Sequence, residues 1–115
     1  METPLACNNQ SAWPDGATKV AELIAPQAGA VVSRVLLKRK GGNVTLFAFD
    51  VGQELSEHTA PFDALVQVLE GEAKITIAGN PIMVRAGEVL LLPAGKPHSV
   101  YAQMELRMLL TMVRE

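Results

Sequence analysis

The stretch GQELSEHTAPFDALVQVLEG, residues 52–71, begins and ends with glycine and contains His58, one of the two histidines in the chain. A second stretch, GEVLLLPAGKPH, residues 87–98, ends at the other histidine, His98. Glycine adopts positive φ without steric cost and suits the turns at strand ends, while proline cannot donate a ladder hydrogen bond and stops a strand. The two stretches therefore predict short strands and tight turns, with one histidine on each.

Short apolar runs rich in β-branched residues surround these stretches, from residue 31 to residue 113. Gly, Asn and Pro separate them at intervals of about 8 to 12 residues, a spacing typical of sandwiches and barrels. No helical period is long enough to cross a parallel sheet, so the pattern predicts an all-β, antiparallel fold. The runs, in chain order, are VVSRVLL, NVTLFAFD, ALVQVLEG, EAKITIAG, IMVRAG, EVLLLP, HSVYA and LRMLLTMV.

The first 29 residues differ from the rest, because closely spaced prolines, glycines and asparagines leave room for only one short ordered piece. We therefore predict an N-terminal arm over residues 1–29, packed on a barrel domain over residues 30–115. Several strands of this domain, notably residues 106–113, are apolar on both faces. Such a strand meets the core on one side and another sheet or a second subunit on the other, which predicts a homodimer.

Composition limits the classes of partner. The 115 residues, 49% of them hydrophobic, can build one core, and the net charge of -2 with only 4% aromatic residues disfavours a nucleic-acid partner. No apolar run approaches the roughly 18 residues of a membrane span, so no membrane association is expected. The single cysteine, Cys7, forms no internal disulfide, and the opening residues lack the layout of a secretory signal. We expect a cytoplasmic protein.

The two histidine-bearing stretches resemble the two sequence motifs of the cupins, small conserved β-barrels. The first cupin motif is glycine, five residues, histidine, one residue, histidine, three or four residues, glutamate, six residues and glycine. The second is glycine, five residues, proline, one residue, glycine, two residues, histidine, three residues and asparagine. The matching positions are Gly52, His58 and Gly71 in the first motif and Gly87, Pro93, Gly95 and His98 in the second.

The resemblance implies a double-stranded β-helix, or jelly-roll barrel, a homodimer, and a divalent metal held inside the barrel by four ligands. Of these ligands His58 and His98 remain, while the other two positions are Ala60 and Ala64, and the asparagine position is Ala102. A first-row metal ion normally has at least three protein ligands. The sequence therefore predicts, at most, a partial site for Fe, Mn, Ni or Zn at His58 and His98.

Neighbouring polar side chains do not replace the missing ligands if the strands alternate regularly. Asp63 is predicted to face away from the barrel, and Gln67 has the opposite parity to residue 64. Glu54 is predicted to share the inward parity of His58, but four strand residues separate them by roughly 13 Å. A β-bulge would change these parities.

Three functions follow as hypotheses. The leading one is a barrel that binds a small organic molecule through His58 and His98 without a complete metal site. The second is a metal-dependent isomerase or dioxygenase of the kind the cupin family contains, and the third is a structural or regulatory partner with no ligand. Candidate walls of a binding site, for which ordinary core packing is the alternative role, are Phe47, Phe49, Val66, Val68, Met83 and Val100.

Overall fold

The computed structural model describes residues 16–114. Within them lie one short 3-10 helix and nine strands, and none of the helical structure is long and apolar enough to cross a membrane. The elements are η1 (Val20–Leu23), β1 (Val31–Arg39), β2 (Gly42–Phe49), β3 (Glu54–His58), β4 (Asp63–Glu70), β5 (Glu72–Ile77), β6 (Asn80–Arg85), β7 (Val89–Leu92), β8 (His98–Ala102) and β9 (Leu106–Val113).

The strands form two antiparallel sheets, which confirms the all-β prediction. The five-stranded sheet has the order β1-β2-β9-β4-β7, and the four-stranded sheet has the order β3-β8-β5-β6. Alternation decides the core: along β4, Ala64, Val66 and Val68 are buried, while the residues at 63, 65 and 67 are exposed. Because the inner faces of the two sheets pack together, side chains from both build one hydrophobic core, including Phe49 of β2 and Ile75 of β5.

Gly71 connects the two sheets, since it lies between β4 and β5. Its φ is +86°, in the left-handed region that favours glycine, and a Cβ built there would lie 2.1 Å from the carbonyl oxygen of Glu105. Both the backbone conformation and the close approach of another strand therefore require glycine. The last glycine of the first stretch is thus fixed by packing as well as by turn geometry.

The described part of the N-terminal arm lies against the five-stranded sheet of its own chain. The Arg34 guanidinium donates a hydrogen bond to the Leu23 carbonyl over 2.9 Å, and Arg107 Nε donates to the Ile24 carbonyl over 3.0 Å. Arg107 also pairs with Glu70. These contacts hold residues 20–24 over the outer face of β1, β2 and β9. Residues 1–15 of the predicted arm lie outside the described residues, and the division at residue 29 stays a prediction.

The outer face of the five-stranded sheet carries several exposed apolar side chains where the arm does not cover it. On β4 and β7, Leu65 and Leu91 are cross-strand partners and are 46% and 50% exposed. Val89 of β7 and Val113 of β9 are each 61% exposed. The corresponding face of the four-stranded sheet carries mainly polar residues, such as Glu54 and Lys74, which both pair with Tyr101. The two sheets therefore present different surfaces to their surroundings.

Candidate functional site

The two histidines are directly opposite one another on the edge strand β3 and its neighbour β8. Leu55 pairs with Val100 and His58 pairs with His98, so three steps along β3 match two steps along β8. The extra residue is a β-bulge at residues 56–57. It turns His58 onto the inner face of the sheet, the face of His98 and Val100.

This bulge corrects the predicted parity of Glu54. Glu54 pairs with Tyr101, which is 38% exposed and alternates away from His98. Glu54 therefore lies on the outer face and does not share the inward parity of His58. The prediction was wrong because regular alternation fails at the bulge, where one additional residue reverses the facing of all that follow.

The imidazole rings approach edge to face. Their centroids are 4.4 Å apart with an interplanar angle of 70°, and the two Nε2 atoms are 3.2 Å apart. The Nδ1 atom of His58 lies 2.9 Å from the carbonyl oxygen of Ser56, and that of His98 lies 3.3 Å from the carbonyl oxygen of Lys96. Each ring is thus held by a main-chain carbonyl two residues earlier, and both Nε2 atoms converge on one place.

The carbonyl partners indicate the tautomers. A carbonyl oxygen only accepts hydrogen bonds, so a ring that bonds one through Nδ1 carries its proton there. In the neutral rings, both Nε2 atoms are then acceptors whose lone pairs face one another. Burial and, second, the neighbouring His58 ring lower the pKa of His98 below its usual value, while the hydrogen bond to Lys96 acts in the opposite direction. The pair therefore favours the uncharged state of His98.

The two rings differ in their access to solvent. His98 is buried, with 8% of its surface exposed, whereas His58 is exposed at the end of β3. The loops that leave the pair, residues 59–62 and 93–97, are joined by a hydrogen bond from the Gly95 N–H to the Ala60 carbonyl over 2.8 Å. The pair therefore lies at one end of the barrel, with one ring in the core and the other reachable from outside.

Apolar side chains surround the pair on the inner face. Ile77 of β5 is the other cross-strand partner of His98, and Leu55 and Val100 form the next pair along β3 and β8. Ile77 and Leu55 pack against the hydrophobic core, to which Val100 belongs. The immediate neighbourhood is therefore hydrophobic, and Ile77 and Leu55 are additions to the residues proposed from sequence.

The predicted wall residues have two different placements. Phe49, Val66, Val68 and Val100 belong to the buried core, and Phe47 packs against it with its ring centroid 6.3 Å from that of Phe49. Core packing accounts for all five, and their contact with a ligand stays a prediction.

Met83 does not face the core. It pairs with the exposed residue Lys74, while the next residue, Val84, pairs with Ala73 and is buried. Successive side chains of a strand point to opposite faces. Met83 therefore lies on the outer face of the four-stranded sheet, and its prediction as a wall of the barrel interior was wrong. The inward-facing residue at this place is its neighbour, Val84.

Residues 45–113 match the family model described as Cupin domain, which covers more than half of the chain. This chain belongs to the cupin family. The predicted resemblance is thereby confirmed, and the two sheets are those of a cupin barrel. No match was found among curated proteins.

Solved structures extend the match beyond the family model. A conserved protein of unknown function from Streptococcus pyogenes is 33% identical with a TM-score of 0.86, and the match covers 90% of this cupin and 91% of that chain. A cupin superfamily protein from Desulfitobacterium hafniense is 28% identical with a TM-score of 0.85, covering 89% and 94%. A cupin 2 conserved barrel domain protein from Leptotrichia buccalis is 40% identical with a TM-score of 0.79, covering 82% of this cupin and 46% of that chain.

The described residues of this cupin do not complete a metal site. Among residues 16–114 no group of three or more His, Cys, Asp or Glu side chains is placed to hold one ion. Ala64 and Ala102 are buried, with only methyl groups at two of the motif positions. Asp63 is exposed and accepts a hydrogen bond from the Ala94 N–H over 2.8 Å, and Gln67 is also exposed, as alternation predicted. Two imidazoles are fewer than the three protein ligands of an ordinary catalytic site.

Proposed function

We propose that this cupin binds a small organic molecule at the end of the barrel where His58 and His98 meet, without a complete metal site. The observation that carries the proposal is the approach of the two Nε2 atoms to 3.2 Å. Small-molecule sites combine apolar walls with a few convergent polar groups. The rings supply the polar groups, and Leu55, Ile77 and Val100 supply the apolar surface beside them.

The orientation of the rings supports binding, because both are held before any ligand arrives. The Ser56 and Lys96 carbonyls fix the Nδ1 sides, so the Nε2 atoms need no reordering to meet a ligand. A preorganised site loses less conformational entropy on binding. The exposed ring of His58 gives access from solvent, while the buried ring of His98 gives a contact shielded from water.

A thermal-shift screen of small organic molecules tests the proposal. A ligand at 100 times its Kd stabilises the fold by about 2.7 kcal/mol, so Tm rises measurably. We expect a compound that raises the Tm of the wild type and of Ser99→Ala, but not of His58→Ala or His98→Ala. Ser99 is the matched control because it neighbours His98 on β8 and lies on the other face. An equal rise in all four proteins contradicts binding at the histidine pair.

A metal-dependent cupin enzyme is the second candidate, and the same distance favours it. Two nitrogen ligands at about 2.0–2.1 Å from one ion are separated by roughly the spacing of the two Nε2 atoms. A bound divalent ion would act as a Lewis acid. Elemental analysis of protein purified without a metal-affinity tag decides between the candidates. Near-stoichiometric metal that is lost in the His58→Ala, His98→Ala double variant replaces the first proposal with the second.

We further propose that the chain is a homodimer joined through the apolar outer face of β4, β7 and β9. Besides the exposed leucines and valines, this face has at its edge a groove of about 480 Å³ that Asp63 and Arg114 line. The Arg114 guanidinium lies 5.7 Å from the centroid of the Phe62 ring. In an isologous dimer the same patch of both subunits meets across a two-fold axis. Asp63 of one subunit can then pair with Arg114 of the other, so the patch is self-complementary.

A reducing, cytoplasmic location belongs to the proposal, because the one cysteine, Cys7, can form no internal disulfide. Fractionation of the cells that produce the protein tests this. Recovery outside the cytoplasmic fraction contradicts it.

A further inference from the structure

The His58–His98 pair presents acceptors without a donor. Within residues 16–114, the polar atom recorded at hydrogen-bond distance from either Nε2 is the other Nε2, 3.2 Å away. Each Nδ1 is turned to a main-chain carbonyl, so both ring protons are already used. Two lone pairs therefore converge on one place, and no protein donor among residues 16–114 reaches either of them. His98 is buried, and a buried acceptor without a donor is unfavourable, so a ligand that supplies the donor stabilises the pair.

We infer that the molecule bound here is a neutral, largely apolar hydroxyl compound, an alcohol, phenol or enol, whose O–H donates to the paired Nε2 atoms. This inference rests on the proposed function and specifies its ligand class. A single hydroxyl can direct its hydrogen between two acceptors that are 3.2 Å apart, and its carbon skeleton then meets Leu55, Ile77 and Val100.

Charged ligands fit this place less well. An anion would bring a third electron-rich group against the two Nε2 lone pairs, which lie only 3.2 Å apart. A cation would need a carboxylate nearby, but on the inner face the neighbours of the pair are apolar, and residue 64 is a buried alanine. A neutral donor matches both the acceptor pair and the apolar surroundings.

Phenol and anisole form a matched pair of probes, because they share the aromatic ring and differ in the O–H donor. We expect phenol to bind about tenfold more tightly than anisole, the factor that one hydrogen bond supplies. Titration followed by long-range ¹H–¹⁵N NMR of the imidazoles measures both affinities and identifies the ring atoms involved. Phenol is expected to shift the two Nε2 resonances, with both Nδ1 atoms protonated in the free protein.

The variants separate the outcomes. His58→Ala truncates an exposed side chain and removes nothing from the core. In this variant the affinity for phenol should fall to that for anisole, while Ser99→Ala keeps the preference for phenol. Equal binding of phenol and anisole at the pair in the wild type overturns the hydroxyl class but leaves the site in place. Absence of binding by both probes, together with no Tm rise from any compound of the screen, overturns the proposed function itself. A free protein with Nε2 protonated in both rings also contradicts the inference.

Discussion

The two sheets of this barrel obey the same alternation rule but have different outer faces. On the four-stranded sheet the outer row that includes Tyr101 is mainly polar, while its inner face carries both histidines. On the five-stranded sheet the inner face supplies most of the hydrophobic core, and the outer face leaves Leu65 and Leu91 about half exposed. The difference assigns the candidate ligand site to one sheet and the candidate interface to the other.

The ligand positions of the cupin motif lie on both sheets, but in this chain only those on the four-stranded sheet carry a ligand side chain. Position 64, where the motif has glutamate, lies on β4 of the five-stranded sheet and is a buried alanine. The retained histidines both belong to the four-stranded sheet. The five-stranded sheet therefore contributes mainly apolar surface to the barrel interior, with no histidine or carboxylate among its buried residues.

The connection at Gly71 gives the largest expected effect. Gly71→Ala places a Cβ 2.1 Å from the Glu105 carbonyl oxygen at a φ of +86°. Overpacking adds about 1–3 kcal/mol to the left-handed penalty of about 1–2 kcal/mol. We expect the free energy of unfolding, measured by urea titration, to fall by roughly 3–4 kcal/mol.

Gly79→Ala is the control for Gly71→Ala. Its φ is +85°, nearly that of Gly71, but a Cβ there meets nothing within 4 Å. Only the backbone penalty of about 1–2 kcal/mol is expected. Equal losses in the two variants would show that the close approach of the Glu105 carbonyl does not constrain the connection.

The second largest expected effect is loss of the dimer when the outer face of the five-stranded sheet is changed. The double variant Leu65→Asp, Leu91→Asp buries two charges in the proposed interface and should convert a dimer to a monomer, because each buried leucine contributes about 1.5–3 kcal/mol to association. Light scattering after size-exclusion chromatography measures the mass. Met83→Asp is the matched control on the outer face of the other sheet and should leave the mass unchanged. A monomeric wild type at micromolar concentration contradicts the dimer.

The sequence predicted the fold well because its signals are local. Glycine and proline mark the strand ends, and alternation in β4 predicts which of its residues are buried. The sequence also shows that residues 106–113 are apolar on both faces. In the structure Leu106 and Met108 lie in the core, while residues 107 and 109 lie on the opposite face. Each of these features depends on neighbours along the strand, which a single sequence contains.

The site was predicted less well because it depends on register between strands. The bulge in β3 leaves a weak signal in the sequence: apolar Leu55 has the inward parity, and His58, three residues later, can face inward only if one residue is extra. Met83 shows the same limit, because its facing depends on pairing with Lys74. Ile77 lies beside the histidines because it pairs with His98 across two strands. A local sequence pattern does not predict such pairing.

Restoring the ligand position tests whether the two sheets still face one another as in the family motif. Ala60→His with Ala64→Glu adds an imidazole and a carboxylate to the retained histidines, and we expect affinity for Zn, Mn, Ni or Fe to rise at least about tenfold. Isothermal titration calorimetry measures the affinity, and Ala60→His with Gln67→Glu is the control, because residue 67 is exposed on the other face of β4. Equal affinities in the two double variants would mean that residue 64 does not face the histidine pair.

The smallest expected effect is the pH dependence from His98. Because burial and the His58 ring lower its pKa in the folded protein, the unfolded chain, with an ordinary histidine pKa of about 6.5, binds more protons as pH falls towards and below that value. The contribution of His98 to stability is therefore complete above the unfolded pKa and is lost as pH falls through the folded pKa. Urea unfolding of wild type and His98→Gln across this range should show a steeper loss in the wild type. Parallel curves would mean that the ring is as easily protonated inside the barrel as in water, and that the four-stranded sheet does not shield it.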